Sequence, residues 1–139
     1  MIIRQFKQDD EKQLVQLWND CGLIVPWNNP HRDIQRKLKV QPELFLVGCV
    51  EDRVIASVMG GYDGHRGWVY YLAVHPEYQR RGFAGQMMFE IEKNLRKMGC
   101  SKINLQVRNT NKVVHEFYKG IGFKIDEVVS FGKRLDPDI

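Results

Sequence analysis

Apolar and polar positions alternate from Ile2 to Phe6, the period of a half-buried strand. Asp9-Asp10-Glu11 then supplies a cap and acids for a first helical turn, and Leu14, Leu17, Trp18 and Cys21 recur at helical spacing up to Gly22. Leu23 to Pro30 holds two prolines and two asparagines, which exclude regular helix, and Pro30 suits the first turn of a short helix reaching Val40. The apolar runs Leu44 to Val50 and Val54 to Met59, separated by Glu51-Asp52-Arg53, predict a hairpin. Gly60 to Gly67, with four glycines, reads as a loop, and Trp68 to Val74 as a central strand of aromatic and β-branched residues. Ala84, Met87, Met88, Ile91, Leu95 and Met98 form one stripe of a helix from Gly82 to Met98 that Gly99 closes. Ile103, Leu105 and Val107 alternate as a strand, and Val113, Val114, Phe117, Tyr118 and Ile121 mark a helix stopping at Gly122. Phe123 to Leu135 is a last extended segment. The order predicts an α+β fold of about six strands and four helices, a meander followed by a crossover, with a mixed, mostly antiparallel sheet.

The chain's 139 residues, 43% hydrophobic, suffice for one core, so residues 1–139 are expected to form a single domain. Neither a signal-type apolar run nor a span of roughly 20 apolar residues is found, so a soluble, cytoplasmic protein without membrane attachment is expected. Cys21, Cys49 and Cys100 lie far apart and follow no metal-binding or disulfide spacing, which fits free thiols in a reducing compartment and predicts no metal site.

The formal charge of +4 is unevenly distributed. Residues 77–112 carry eight Lys or Arg against three acids, whereas the rest of the chain carries 13 basic and 14 acidic residues. Such a local positive field concentrates anionic ligands, of which nucleic acid and a phosphorylated cofactor are two. Aromatic residues do not interleave with the basic ones and no nucleic-acid motif is found, so no nucleic-acid partner is expected.

One junction in that region carries chemistry. In Leu72-Ala73-Val74-His75-Pro76-Glu77-Tyr78-Gln79-Arg80-Arg81-Gly82-Phe83-Ala84-Gly85 a strand ends, the chain turns and a long helix begins. A helix start presents unpaired N–H groups and the positive end of its dipole, which together bind phosphate. Gly82, Ala84 and Gly85 let the backbone approach an anion, and Arg80 and Arg81 add charge. The junction lacks both the glycine spacing of a dinucleotide fold and the lysine of an NTP-binding loop.

Gln79-x-x-Gly82-x-Ala84 resembles the Q/R-x-x-G-x-G/A signature of the GCN5-related N-acetyltransferase (GNAT) superfamily. Tyr71 to Pro76 resembles its fourth strand, and Asn111-x-x-Val114-x-x-Phe117-Tyr118-x-x-x-Gly122-Phe123 its later N-x-x-A-x-x-L/F-Y-x-x-x-G-F block, with Val114 in place of the commoner alanine. The match covers roughly residues 2–130 and is most similar to small stand-alone bacterial acetyltransferases of the YpeA type. The resemblance implies a bulge around Leu72 to Val74 that splays the sheet between its fourth and fifth strands, and acetyl-CoA as co-substrate. It also implies direct acetyl transfer to a primary amine of a protein, peptide or small molecule. In the implied site, N–H groups around Arg80, Arg81, Gly82, Phe83, Ala84 and Gly85, headed by Gln79, hold the pyrophosphate. Leu72, Ala73 and Val74 pair with the pantetheine arm, Asn111 contacts the cofactor, and Tyr118 points its hydroxyl at the sulfur.

Amine attack on a thioester creates an oxyanion that a backbone N–H near Leu72 to Val74 can stabilise, and expels a thiolate that a phenol can protonate. The incoming ammonium, with a pKa near about 10 by analogy with lysine, also needs a base. Glu77, Asp63 and a chain of waters remain open for that role. Spacing alone leaves Tyr118 open as a core aromatic. A non-catalytic acyl-CoA-binding regulatory module of the same fold is the alternative, and a homodimer is left open.

Overall fold

The computed structural model describes residues 1–138. Strand β1 (Ile2–Gln5) leads through a short 3-10 turn into helices α1 (Glu11–Asp20) and α2 (Pro30–Leu38), and then the meander β2 (Phe45–Val50), β3 (Arg53–Tyr62) and β4 (Gly67–Val74). Helix α3 (Phe83–Lys97), strand β5 (Ile103–Asn104) and helix α4 (Lys112–Gly120) follow. The sheet order is β1-β2-β3-β4-β5, antiparallel except for the parallel β4–β5 pair that the α3 crossover requires.

The sheet is covered on both faces, which explains why β2 and β3 are apolar almost throughout rather than alternating. On one side α1 and α2 bury Leu14, Leu17, Trp18 and Ile34 against Phe45, Val47 and Met59. On the other, α3 buries Met87, Met88, Ile91 and Leu95 against Leu46, Ile55, Val58 and Val69, with Phe117 and Tyr118 of α4 packed alongside. Arg4 and Asp10 form a two-pronged ion pair at 2.8 and 2.9 Å that ties β1 to the turn before α1.

Three sequence expectations need correction. The sheet has five strands, not six: Phe123 to Leu135 joins no backbone ladder. Side-chain contacts hold this stretch instead, Lys102 to Asp126 at 3.0 Å and Gln106 Nε2 to Ser130 Oγ at 2.6 Å. Further on, Asp138 accepts from the Asn29 N–H and from Arg36, both at 2.6 Å. Strand β5 is correspondingly short, stopping at Asn104 rather than Val107. Conversely, β3 runs on through Gly60 and Gly61, which read as loop. The residue type there serves packing. A Cβ on Gly60 would lie 2.8 Å from both Cγ1 and Cδ1 of the buried Ile91. Gly60→Ala is therefore expected to lower stability by about 1–3 kcal/mol, measurable by urea unfolding, because Ile91 would have to shift within the core it is buried in.

The fourth strand carries the feature that shapes the site. Met59 faces Tyr70 and Ser57 faces Ala73, so Tyr71 and Leu72 together oppose Val58: β4 has one extra residue, a bulge. Tyr71 takes φ 53°, a left-handed backbone that costs a non-glycine residue on the order of 1–3 kcal/mol. Beyond the bulge β4 and β5 separate, since only Gly67–Ile103 and Trp68–Asn104 are paired. The splayed opening implied by the family resemblance is present, between the fourth and fifth strands.

Candidate functional site

Helix α3 begins where the strand-turn-helix reading placed it. Gly82 is its N-cap at φ 80°, supplies no side-chain acceptor, and no acid occupies the first turn. The first helical bond is from the Gln86 N–H to the Gly82 carbonyl (3.1 Å), so the N–H groups of Phe83, Ala84 and Gly85 have no partner within the helix. Arg80, also left-handed at φ 64°, precedes them, the kind of backbone turn that gathers N–H groups into an anion-binding concavity. A Cβ built on Gly82 or Gly85 meets no heavy atom within 4 Å, so the space in front of this helix end is open. The arginine side chains contribute less than the backbone. Arg81 donates to the Glu77 carbonyl (3.3 Å) and lies 5.1 Å from the Tyr78 ring, and both Arg80 and Arg81 are exposed. Gln79 donates to the Val74 carbonyl at 3.0 Å, fixing the end of β4 against the turn.

Leu72, Phe83, Ala84 and Tyr118 pack against the same α3-side core, with Ala73 and Val74 buried in the strand between the two cores. Tyr118 lies edge-on to Phe117 and Phe123, at 5.1 and 5.5 Å between ring centres. It lines a cleft of about 1380 Å³ together with Trp68, Leu95, Asn104, Leu105 and Val107. Burial pushes its phenol up to about 12, so the protonated donor form persists through neutral pH. The N-terminus of α3 does not line this cleft. The two mark opposite ends of the region along α3, and Phe83 and Leu95 are roughly 18 Å apart at helical rise.

Asn111 is placed as a helix cap, its Oδ1 accepting from the Val114 N–H at 3.4 Å. Neither carboxylate considered as a base joins Tyr118. Glu77 is exposed in the turn after β4, 3.5 Å from Arg53. Asp63 sits in the β3–β4 turn and accepts from the N–H groups of His65 and Arg66 at 2.8 and 2.7 Å. Those bonds hold its carboxyl below the ordinary range. This turn precedes Gly67, at the end of β4 away from the α3 N-terminus, roughly 20 Å distant at strand rise. His75 caps the turn after β4: its Nδ1 accepts from the Glu77 N–H at 3.1 Å. Among the described residues no group of three or more His, Cys, Asp or Glu is placed to hold a metal, and no helix is long and apolar enough to cross a membrane. All three cysteines are free.

The sequence reading missed the surroundings of the bulge. The Tyr71 ring stacks on buried Trp18 (3.8 Å between centres, 12° between planes), and its hydroxyl donates to Asp33 Oδ2 at 2.6 Å. Ser57 Oγ donates to the Tyr71 carbonyl at 2.7 Å and accepts from Trp18 Nε1 at 3.0 Å. Burial, reinforced by the Asp33 carboxylate, keeps the Tyr71 hydroxyl protonated well beyond its ordinary range. No sequence signal distinguishes Asp33 from any other helix-surface acid.

An open α+β sheet with a bare helix N-terminus beside a bulged, splayed strand defines an acyl-CoA-type binding architecture. The sequence profile of the acetyltransferase (GNAT) family matches residues 5–123, and the chain belongs to that family. It is 48% identical over 138 residues to an acetyltransferase of Yersinia pestis (strain Pestoides F), covering 99% of this chain and 98% of that one. Among solved structures it is similar to an aminoglycoside antibiotic 6'-N-acetyltransferase from Acinetobacter haemolyticus, with a TM-score of 0.75, 19% identity, and 98% and 100% of the two chains covered. It is also similar to the PaiA N-acetyltransferase of Thermoplasma acidophilum in complex with coenzyme A, with a TM-score of 0.74, 19% identity and 92% of each chain covered.

Proposed function

We propose that this protein transfers an acetyl group from acetyl-CoA directly to a primary amine. The observation that carries the reading is the α3 N-terminus. It has three N–H groups without helical partners, no competing side-chain cap or first-turn acid, and open space at Gly82 and Gly85. A diphosphate suits such a site, because backbone donors and the helix dipole act together on a dense anion. The amides of Arg81 to Gly85 would hold the pyrophosphate, and the bulged backbone of Leu72, Ala73 and Val74 would align the thioester arm in the opening between β4 and β5. Asn111, exposed at the start of α4, would contact the cofactor from there.

When bound, acetyl-CoA supplies an activated carbonyl and a thiolate leaving group. A backbone N–H at the bulge is suited to the carbonyl oxygen as charge develops on it. Tyr118 holds a proton for the departing sulfur, its burial keeping the hydroxyl neutral. Direct transfer needs no nucleophilic thiol, and burial raises Cys21 and Cys49 rather than activating them. Relatives of this fold include enzymes for aminoglycoside acceptors, which supports a small or peptidic amine acceptor here.

Isothermal calorimetry with acetyl-CoA, followed by mass-spectrometric detection of acetylated products across a panel of primary amines, tests the reading. Saturable binding and at least one acetylated amine are expected. Absence of binding to any acyl-CoA would refute it, and binding without turnover on every amine would favour the non-catalytic regulatory module.

A further inference from the structure

Tyr71 is the one residue of β4 with a left-handed backbone, and it sits at the strand's extra residue. Its unusual conformation is fixed from three other elements at once: Trp18 of α1 holds the ring, Ser57 of β3 holds the carbonyl, and Asp33 of α2 holds the hydroxyl. Trp18 and Ser57 are fully buried and bonded to each other, so that part of the anchor is rigid. Asp33 is fixed in turn. Its Oδ1 accepts from Arg36 at 3.2 Å, and Arg36 grips Asp138 at 2.6 Å. A surface tyrosine needs none of this, whereas a strained residue at a functional bulge persists only where its surroundings over-determine it.

We propose that Tyr71 and Asp33 are positioning residues of the acyl-CoA site. Their hydroxyl–carboxylate bond, anchored on α2, holds β4 in the bulged form that presents the Leu72 to Val74 backbone to the thioester arm. The inference rests on the acyl-CoA reading above. Neither residue touches the reacting atoms. Both act through the strand: a Tyr71 released to extended backbone moves the extra residue along β4, and a one-residue slip turns Leu72, Ala73 and Val74 to the opposite faces. The parallel pairing that ends at Trp68–Asn104 is then free to extend and narrow the opening.

Three variants separate this role from ordinary packing. Tyr71→Phe keeps the ring on Trp18 and loses the hydroxyl. Asp33→Ala removes the acceptor, and Asp33→Asn retains a carbonyl oxygen in its place. Coenzyme A is titrated by calorimetry well below each variant's unfolding temperature, and amide hydrogen exchange is followed in the ligand-free proteins. Tyr71→Phe and Asp33→Ala are expected to bind about tenfold more weakly, and Asp33→Asn within about threefold of wild type, the range of one charge-assisted hydrogen bond. The double variant Tyr71→Phe/Asp33→Ala should bind no more weakly than either single change, because both remove the same bond. Exchange in residues 70–74 should quicken by about tenfold in these variants, with the α3 amides unchanged.

Wild-type affinity in the variants despite faster β4 exchange would overturn the proposal, leaving the bond a structural one. Unchanged exchange in residues 70–74 would overturn it as well. If the wild type itself binds no coenzyme A, the acyl-CoA reading fails first and the positioning role falls with it. The exchange data then still report whether the bond holds the bulge.

Discussion

Gly85→Glu is expected to bind acetyl-CoA at least about a hundredfold more weakly than wild type without losing stability. The carboxylate would occupy the space in front of the first turn of α3 and set a negative charge against the diphosphate, where wild type offers three N–H groups and no acid. A hundredfold loss corresponds to about 2.7 kcal/mol, which one displaced anion contact and one like-charge repulsion can supply together. The helix itself should tolerate the change, since glutamate in a first turn complements the dipole. Gly85→Ala sharpens the comparison. No atom lies within 4 Å of the added Cβ, and alanine stabilises a helix over glycine by up to about 1 kcal/mol. Its melting temperature should therefore rise while its affinity for acetyl-CoA falls. Opposite signs in the two measurements would show that the glycine serves the ligand and not the fold. Wild-type binding by both variants would remove the pyrophosphate from this helix end.

The start of α3 was legible in the sequence because every determinant of it is local: a strand, a turn and a helix follow one another within the segment Leu72 to Gly85. The stripe of Met87, Met88, Ile91 and Leu95 was equally plain, and these are the buried residues of α3. What failed to show depends on partners distant in the chain. The Phe123 to Leu135 segment has the apolar content of a strand, but a strand exists only where another backbone pairs with it, and the contacts made there are from side chains. Gly60 looks like a loop residue until Ile91, 31 positions on, is seen to need the space. For the same reason residue patterning did not show the bulge, which only the family resemblance implied. Its extra residue is defined only by the register of β3, and Tyr71 is held there by Trp18, Asp33 and Ser57, spread over three elements. Motif spacing thus locates the strand-turn-helix junction, whereas the geometry that opens the sheet beside it is a tertiary property.

Tyr118→Phe is expected to lower kcat by about a hundredfold or more while the affinity for acetyl-CoA stays within about twofold, the usual cost of deleting a general acid. The substitution is a clean one. The ring contacts with Phe117 and Phe123 survive it, and only the hydroxyl is lost. The pH dependence separates this role from a packing role. Because burial pushes the Tyr118 phenol up to about 12, the proton stays in place through neutral and moderately alkaline pH. The rate should therefore show no basic limb from Tyr118 below about pH 10, and should fall only as pH rises toward the folded value. Stability follows the same sign. The unfolded chain releases this proton near pH 10, before the folded one does, so the stabilisation is complete below that pH and is lost as pH rises through the folded value. Tyr71 shifts in the same direction, so Tyr118→Phe should remove part of the alkaline loss of stability and leave the rest. Stopped-flow or thiol-trapping rates between pH 6 and pH 10, with urea melts over the same range extended upward, measure both effects on one pair of proteins. A variant that keeps wild-type kcat would return Tyr118 to the core as a packed aromatic and leave the thiolate to be protonated by water.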